Sequence, residues 1–309
     1  MIKKIKDHWI DNSSKKDSLS KLNSEVFFIG APDDRGVSNV GGRLGAGLGP
    51  LAIRDMLSQF MLGFSDSLES ISIYKGVDID IGNTIEDGHR TLRHAVHSKL
   101  VSSTIPIILG GGHDYGYPHV AGAYDAFGEK VALINVDAHL DVRPPNTFGI
   151  TSGSPFYLAL EEKVVLPKNF VEFGIQEHCN DKSFYNYIKQ KKITVLTLDQ
   201  IHSQKAGAAG LFFKILKQFS KKKLKIVVSF DVDSIQMVPG VSSPQSDGLS
   251  VSEFLSLAHL CGKCPNVVSV GFFELAPFLD TNQQTTRIVA TAIHRFLSGI
   301  TSRSLNGSR

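Results

Sequence analysis

From Val26 onward the chain repeats one alternation: a short continuous apolar run rich in Val and Ile, then a stretch whose apolar residues return at helical spacing. The runs are "VFFIG", "IPIILGG", "VALINVD", "FVEFGI", "ITVLTL", "KIVVSFDVD" and "NVVSVGFFEL". Helical spacing marks "PLAIRDMLSQFM", "EDGHRTLRHAVHSKLV", "AAGLFFKILKQF", "VSEFLSLAHL" and "TTRIVATAIHRFLSG". Strands apolar on both faces must be covered on both, and strands separated by helices pair in parallel. The alternation therefore predicts an α/β fold of three layers around a mostly parallel sheet. No repeat, low-complexity tract or linker divides the chain, so residues 1–309 read as a single domain. The first 24 residues, polar and Lys-rich, read as a surface arm.

Charge and cysteine usage narrow the function classes. Lys plus Arg number 33 against 30 Asp plus Glu, a formal charge of +3. That is far from the basic footprint of a nucleic-acid binder, so no polyanion partner is expected. The 3 Cys cannot build a disulfide framework and suit a reducing compartment. The N-terminus has no apolar segment of signal-peptide length, and nowhere do about 18 apolar residues run together to span a membrane. A cytoplasmic location is expected.

Chemistry concentrates where the apolar runs end. "VALINVDAHLDVR" closes on Asp137, His139 and Asp141, which share one face if the chain stays extended. "SFDVDS" carries Asp231 and Asp233 at the same two-residue spacing; His113 follows "IPIILGGG", and Glu274 ends "VSVGFFEL". Ligands of an open parallel sheet gather outside the carboxyl ends of its strands, so these distant residues are expected on one rim. A lone strand-end Asp is usually a turn former, and a lone His an ordinary surface or core residue. Several carboxylates in one crevice instead repel each other and shift their pKa values upward unless a cation neutralises them. Two His with four Asp exceed one tetrahedral zinc site. A mixed carboxylate and imidazole set fits manganese best among divalent ions, and a pair about 3.5 to 4 Å apart would activate water for hydrolysis.

These residues resemble the ureohydrolase family, the arginase and agmatinase group of dinuclear manganese enzymes. The resemblance is carried by "GGGHD", "VDAHLDVR" and "SFDVDSIQMVPGV" in that order, with "GRLGAGLGPLAIR" before and "FFELAP" after. It implies an arginase-like α/β/α sandwich with a parallel sheet of about eight strands. It also implies two Mn2+ held by His113, Asp137, His139, Asp141, Asp231 and Asp233, with Asp137 and Asp231 bridging. Glu274 matches the acidic residue that meets the cationic amidine-like end of the substrate.

Three loops resemble the formimidoylglutamase subgroup. "TSGSPFYL" stands where arginases carry a shuttle His, which is absent here, and "APDDRGVSNVGGRLGA" and "PGVSSPQSDGL" also look like that subgroup. The implied reaction is hydrolysis of N-formimidoyl-L-glutamate to L-glutamate and formamide, a step of histidine degradation, by a metal-bridging hydroxide. Asp141 is a candidate proton relay. A dicarboxylate substrate needs cationic partners, for which Arg143 has a suitable fork. Ser152 and Ser154 fall where arginases bind the α-carboxylate, and Arg35 and Asn39 are further substrate candidates. Members of the family are often homo-oligomers, which is possible here. A guanidine-cleaving ureohydrolase is the alternative within the family; a non-catalytic metal-binding homologue and a two-metal phosphoesterase are the alternatives outside it.

Other features are read without function. The Gly-rich "VGGRLGAGLGP" lacks the Lys-Ser/Thr of a phosphate-binding loop and is read as a tight active-site loop. Cys261 and Cys264 in "CGKC" follow a helical run, whose negative dipole end raises a thiol's pKa. "SKKKLK" reads as a solvated helix end, and His178 as a loop residue near the pocket.

Overall fold

The structure, a computed structural model, describes residues 3–11, 24–62 and 66–305. Nine strands form one sheet: β1 (Trp9–Ile10), β2 (Glu25–Gly30), β3 (Ser72–Asp78), β4 (Ile105–Leu109), β5 (Val131–Val136), β6 (Phe170–Ile175), β7 (Thr194–Thr197), β8 (Lys225–Asp231) and β9 (Val267–Phe273). Their order is β1-β3-β2-β4-β9-β8-β5-β6-β7, and every neighbouring pair is parallel. The expected α/β/α sandwich is present, with nine strands rather than about eight.

Two cores explain why the strands read as continuously apolar. Side chains alternate across a strand, so Val26 and Phe28 enter one core and Phe27 and Ile29 the other. Ala132, Ile134 and Val136 of β5 divide in the same way from Val131 and Leu133. Helices Gly49–Gln59, Gly207–Lys221, Val251–Lys263 and Gln284–Leu305 cover the first face; Ile85–Val101 and Gly116–Phe127 cover the second. Each fully buried Val, Leu, Ile or Phe contributes about 1.5–3 kcal/mol of transfer free energy, so both helical layers are needed to keep the sheet dry.

Two strands depart from the sequence reading. β3 was not among the apolar runs because Lys75 and Gly76 interrupt it and its far half is exposed or half-buried. Gly76 has φ +75°, and a Cβ there would lie 1.6 Å from the Phe28 carbonyl oxygen. Only glycine permits that approach, which accompanies the shifted β2–β3 register between Phe27 and Ile29. β1 falls inside the stretch read as a surface arm. In its described part, residues 3–11, Ile5 is buried and Trp9 and Ile10 pair with Ile73 and Tyr74. Most of the remaining arm lies outside the described residues.

The strand order sets the position of the site. The four central neighbours are β4, β9, β8 and β5, and each is followed directly by one of the candidate motifs: His113, Glu274, Asp231 with Asp233, and Asp137 to Asp141. Their carboxyl ends therefore face one crevice.

Candidate metal centre

Each motif folds by a local rule. The Asp137 carboxylate accepts the His139 backbone N–H at 2.7 Å, and the Asp231 carboxylate accepts the Asp233 N–H at 2.7 Å. An Asp capturing the amide two residues on ends a strand in an Asx turn. β5 accordingly stops at Val136, and Asp141 sits at φ +48° in the left-handed region. The expected extended geometry through Asp141 does not hold; a turn, rather than the pleat, brings Asp137, His139 and Asp141 to the cluster. Glycines shape the approach to His113: a Cβ on Gly111 would fall 1.8 Å from the Asp33 carbonyl oxygen.

The cluster is dense in donors. His113 Nδ1 lies 3.1 Å from Asp137 Oδ2, 2.9 Å from Asp141 Oδ2 and 3.1 Å from Asp231 Oδ2. His139 Nδ1 lies 3.0 Å from Asp233 Oδ2 and 3.5 Å from Asp137 Oδ1. Two donor groups result, His113 with Asp137, Asp141 and Asp231, and Asp137 with His139 and Asp233; within each group the donor atoms lie inside 4.8 Å of one another. Asp137 belongs to both. Asp231, expected to bridge as well, belongs to the first group only and gives its other oxygen to the Asp233 amide.

The electrostatics are those of a site built around a cation. Burial raises Asp231 well above the ordinary carboxylate range, reinforced by Asp233 and Asp137. Burial also raises Asp141, and pushes Asp233 up to about 6 although His139 opposes it. Burial alone would lower the two imidazoles, yet the surrounding carboxylates raise both well above their usual value. His113 Nε2 is taken by the Ser229 hydroxyl at 2.7 Å, its ring stacks on Phe273 at 5.0 Å, and its Nδ1 points into three carboxylates without a hydrogen-bond partner of its own. Asp233 Oδ1 is likewise buried and unpartnered. Buried polar atoms are rarely left so. A cation at the centre would satisfy both atoms and neutralise the repulsion.

A cavity of about 370 Å³ opens on the cluster and is lined by His139, Asp141, Arg143, Ser152 and Glu274 among others. Glu274, at φ +69°, accepts the His113 backbone N–H at 2.7 Å on one oxygen and the Ser242 hydroxyl on the other. Burial pushes its carboxyl up to about 8, with Asp231 adding to the effect. The Arg143 guanidinium lies 5.5 Å from the Phe184 ring, and among the described residues it has no ion-pair partner.

Three substrate candidates are occupied elsewhere. Arg35 grips Asp33 through Nε and Nη2 and donates to the Ile81 carbonyl. Asn39 donates to the Ile150 carbonyl at 2.7 Å and accepts from Asn146 at 2.8 Å, clamping the loop beyond β5. Ser154 is fully buried and bonds Thr151. Their side chains hold the loops rather than line the cavity. His178 is exposed and also lies off it. Arg43, not singled out from the sequence, does line the cavity; carbonyls of Pro239, Val241 and Ser242 hold its Nε and Nη2. A lone Arg within the Gly-rich loop "GGRLGAG" was the available signal.

Comparison with known proteins agrees with this geometry. The sequence model of the Arginase family matches residues 24–298. A formimidoylglutamase of Streptococcus pyogenes is 30% identical over 288 residues, covering 89% of this chain and 85% of that protein. The crystal structure of Trypanosoma cruzi formiminoglutamase with Mn2+2 has a TM-score of 0.85 at 31% identity, covering 93% of this chain and 97% of that one. The formimidoylglutamase of Bacillus subtilis has a TM-score of 0.87 at 25% identity, covering 97% of this chain and 92% of that one. A match over nearly the whole length, with the donor-bearing strands side by side at one rim, places the chain in the arginase family.

Proposed function

We propose that this chain is a formimidoylglutamase, a two-manganese hydrolase converting N-formimidoyl-L-glutamate to L-glutamate and formamide. The observation that carries the reading is the meeting, in one cavity, of the acid-rich donor cluster with the unpaired Arg143 guanidinium. The named activity of the S. pyogenes, T. cruzi and B. subtilis relatives supports the same substrate.

The residues fit two divalent ions. His113, Asp137, Asp141 and Asp231 would hold one, Asp137, His139 and Asp233 the other, and the carboxylate-imidazole mixture suits Mn2+. When bound, such ions supply Lewis acidity and activate water for hydrolysis at neutral pH.

The chain's own groups then orient and discriminate. Glu274, fixed on both oxygens, meets the cationic formimidoyl end and aligns it over the cluster. Arg143 receives one substrate carboxylate through charge-assisted hydrogen bonds, with Ser152 beside it and the guanidinium of Arg43 on the same cavity wall. The leaving glutamate nitrogen needs a proton. Asp141, at the cavity edge and with a raised pKa, is the group assigned to relay it.

The reaction belongs to the stepwise breakdown of histidine. A reducing cytoplasm suits the free thiols of Cys179, Cys261 and Cys264, and among the described residues no helix is long and apolar enough to cross a membrane. The test is parallel assay of formamide and urea release by manganese-loaded protein given N-formimidoyl-L-glutamate, L-arginine, agmatine and guanidinobutyrate. Formamide from the first alone is expected. Urea from any other would transfer the function to guanidine cleavage, and no turnover of any would leave a non-catalytic homologue.

A further inference from the structure

Behind the cluster, on the side away from the cavity, two polar residues interrupt apolar strands. Asn135 stands in "VALINVD" and Glu172 in "FVEFGI"; they are register partners across β5 and β6, and both are fully buried. Val or Ile at either position would continue the core. Burying an amide and a carboxyl instead costs free energy unless they are hydrogen-bonded, and here the hydrogen bonding is incomplete: Asn135 Oδ1 and Glu172 Oε1 have no partner. Stability is therefore a poor reason for the pair.

Its geometry suggests another. Asn135 Nδ2 donates to Asp137 Oδ2 at 3.2 Å and to Glu172 Oε2 at 2.9 Å, so both amide hydrogens are directed at carboxyl groups. The other Asp137 oxygen accepts the His139 backbone N–H. Asp137 is thus held from two sides, and it is the one residue common to both donor groups. Glu172 fixes which way the amide faces: turned over, Asn135 would present its oxygen to two carboxyl groups at once. We infer that Asn135 and Glu172 form a positioning pair that holds the Asp137 carboxylate in the orientation both metal ions require. Groups behind metal ligands commonly fix ligand orientation in this way.

Glu172 suits the task if it is neutral. Burial raises its carboxyl well above the ordinary range, against the opposing hydrogen bond from Asn135. A neutral acid accepts the amide without adding another charge to four carboxylates.

The inference rests on the metal reading, and its test separates the two. Mn2+ is titrated calorimetrically into metal-free wild type, Asn135→Leu, Glu172→Leu and Glu172→Gln. The electron paramagnetic resonance spectrum of each loaded protein is recorded, with circular dichroism of the metal-free forms as the folding control. Wild type is expected to bind two ions. Asn135→Leu and Glu172→Leu are expected to weaken binding at both sites, roughly 10–100-fold, and to alter the coupled-manganese spectrum. Glu172→Gln, which keeps a neutral acceptor of the same shape, is expected to remain within about threefold of wild type. Two ions bound by folded Asn135→Leu with wild-type affinity and spectrum would overturn the positioning pair alone, as would equal losses in Glu172→Gln and Glu172→Leu. If Glu172→Leu does not fold, Asn135→Leu, close in volume to the native side chain, carries the test. A wild type that binds no Mn2+ would overturn the metal reading and this inference with it.

Discussion

Two clusters of buried charge lie along the carboxyl ends of the strands, and they treat an aspartate in opposite ways. Beyond β2, Asp33 is gripped by Arg35 at 2.6 Å and accepts the Tyr115 hydroxyl at 2.8 Å; nearby, His89 meets Asp114 at 2.8 Å. Burial would raise Asp33, but the hydrogen bonds from Arg35 win and hold its carboxyl below the usual value. Beyond β5 and β8 the same residue type, just as buried, is raised: Asp231 faces carboxylates and has two imidazoles as its only cationic company. The difference is whether the chain supplies the compensating cation. Where it does, the cluster is structural; where it does not, the missing charge marks a binding site.

The largest effect expected from this contrast follows Asp231→Asn. If the cluster is completed by metal, formamide release should fall by more than the roughly 10–100-fold that follows loss of a group behind the ligands. The metal-free protein, relieved of one repelling carboxylate, should melt no lower than wild type. A metal-free variant strongly destabilised in calorimetry would mean that the two clusters are of one kind.

Arg35→Ala probes the other side. It leaves Asp33 buried without its cation, and breaking such a pair costs about 3 kcal/mol, the low end of the range because Arg35 is itself one-third exposed. Urea denaturation of metal-free protein measures it, and a loss below about 0.5 kcal/mol, the scale of ordinary surface substitutions, would remove the structural role assigned to the first cluster.

Metal then sharpens the comparison. Mn2+ at a hundredfold excess over its dissociation constant should stabilise wild type by about 2.7 kcal/mol, since it binds the folded state alone. The same addition should stabilise Arg35→Ala equally and Asp231→Asn much less. Equal shifts in all three would place the ion outside the donor cluster.

How much of this was legible depended on whether a residue's partner lay close in sequence. The donor motifs could be read because each sits at the end of an apolar run, and the parallel alternation brings such ends to one rim. Arg35, Asn39 and Ser154 look like recognition residues in the same loops. Their engagement with Asp33, Ile150 and Thr151 is set by how the loops fold onto each other, to which composition gives no clue. β3 escaped because a glycine bulge and an exposed half erase its apolar pattern. Asn135 and Glu172 were visible as single polar letters in apolar runs. Their meaning came only from the β5–β6 register that sets them opposite each other.

The smallest expected effect is the sign of each cluster's response to pH in metal-free protein. Asp33 has a folded pKa below its unfolded one, so its contribution is complete above the unfolded value near 3.8 and is lost as the pH falls through the folded value. Glu274 and Asp233 run the other way. Their folded values of about 8 and about 6 lie above the unfolded 4.5 and 3.8. The folded state therefore binds more protons in those intervals, and stability should decline as the pH rises through them. The raised imidazoles of His113 and His139 act in the same direction above their ordinary 6.5. Metal-free wild type should thus lose stability between about pH 5 and 8, where carboxylates held in native pairs normally have nothing left to lose. Saturating Mn2+ should abolish the decline by holding the donors deprotonated, whereas Arg35→Ala should leave it untouched and alter only the acid limb. Denaturation midpoints collected across that range, with and without metal, measure both slopes. A metal-free curve that is flat or rising from pH 5 to 8 would mean that the second cluster balances its own charge as the first does.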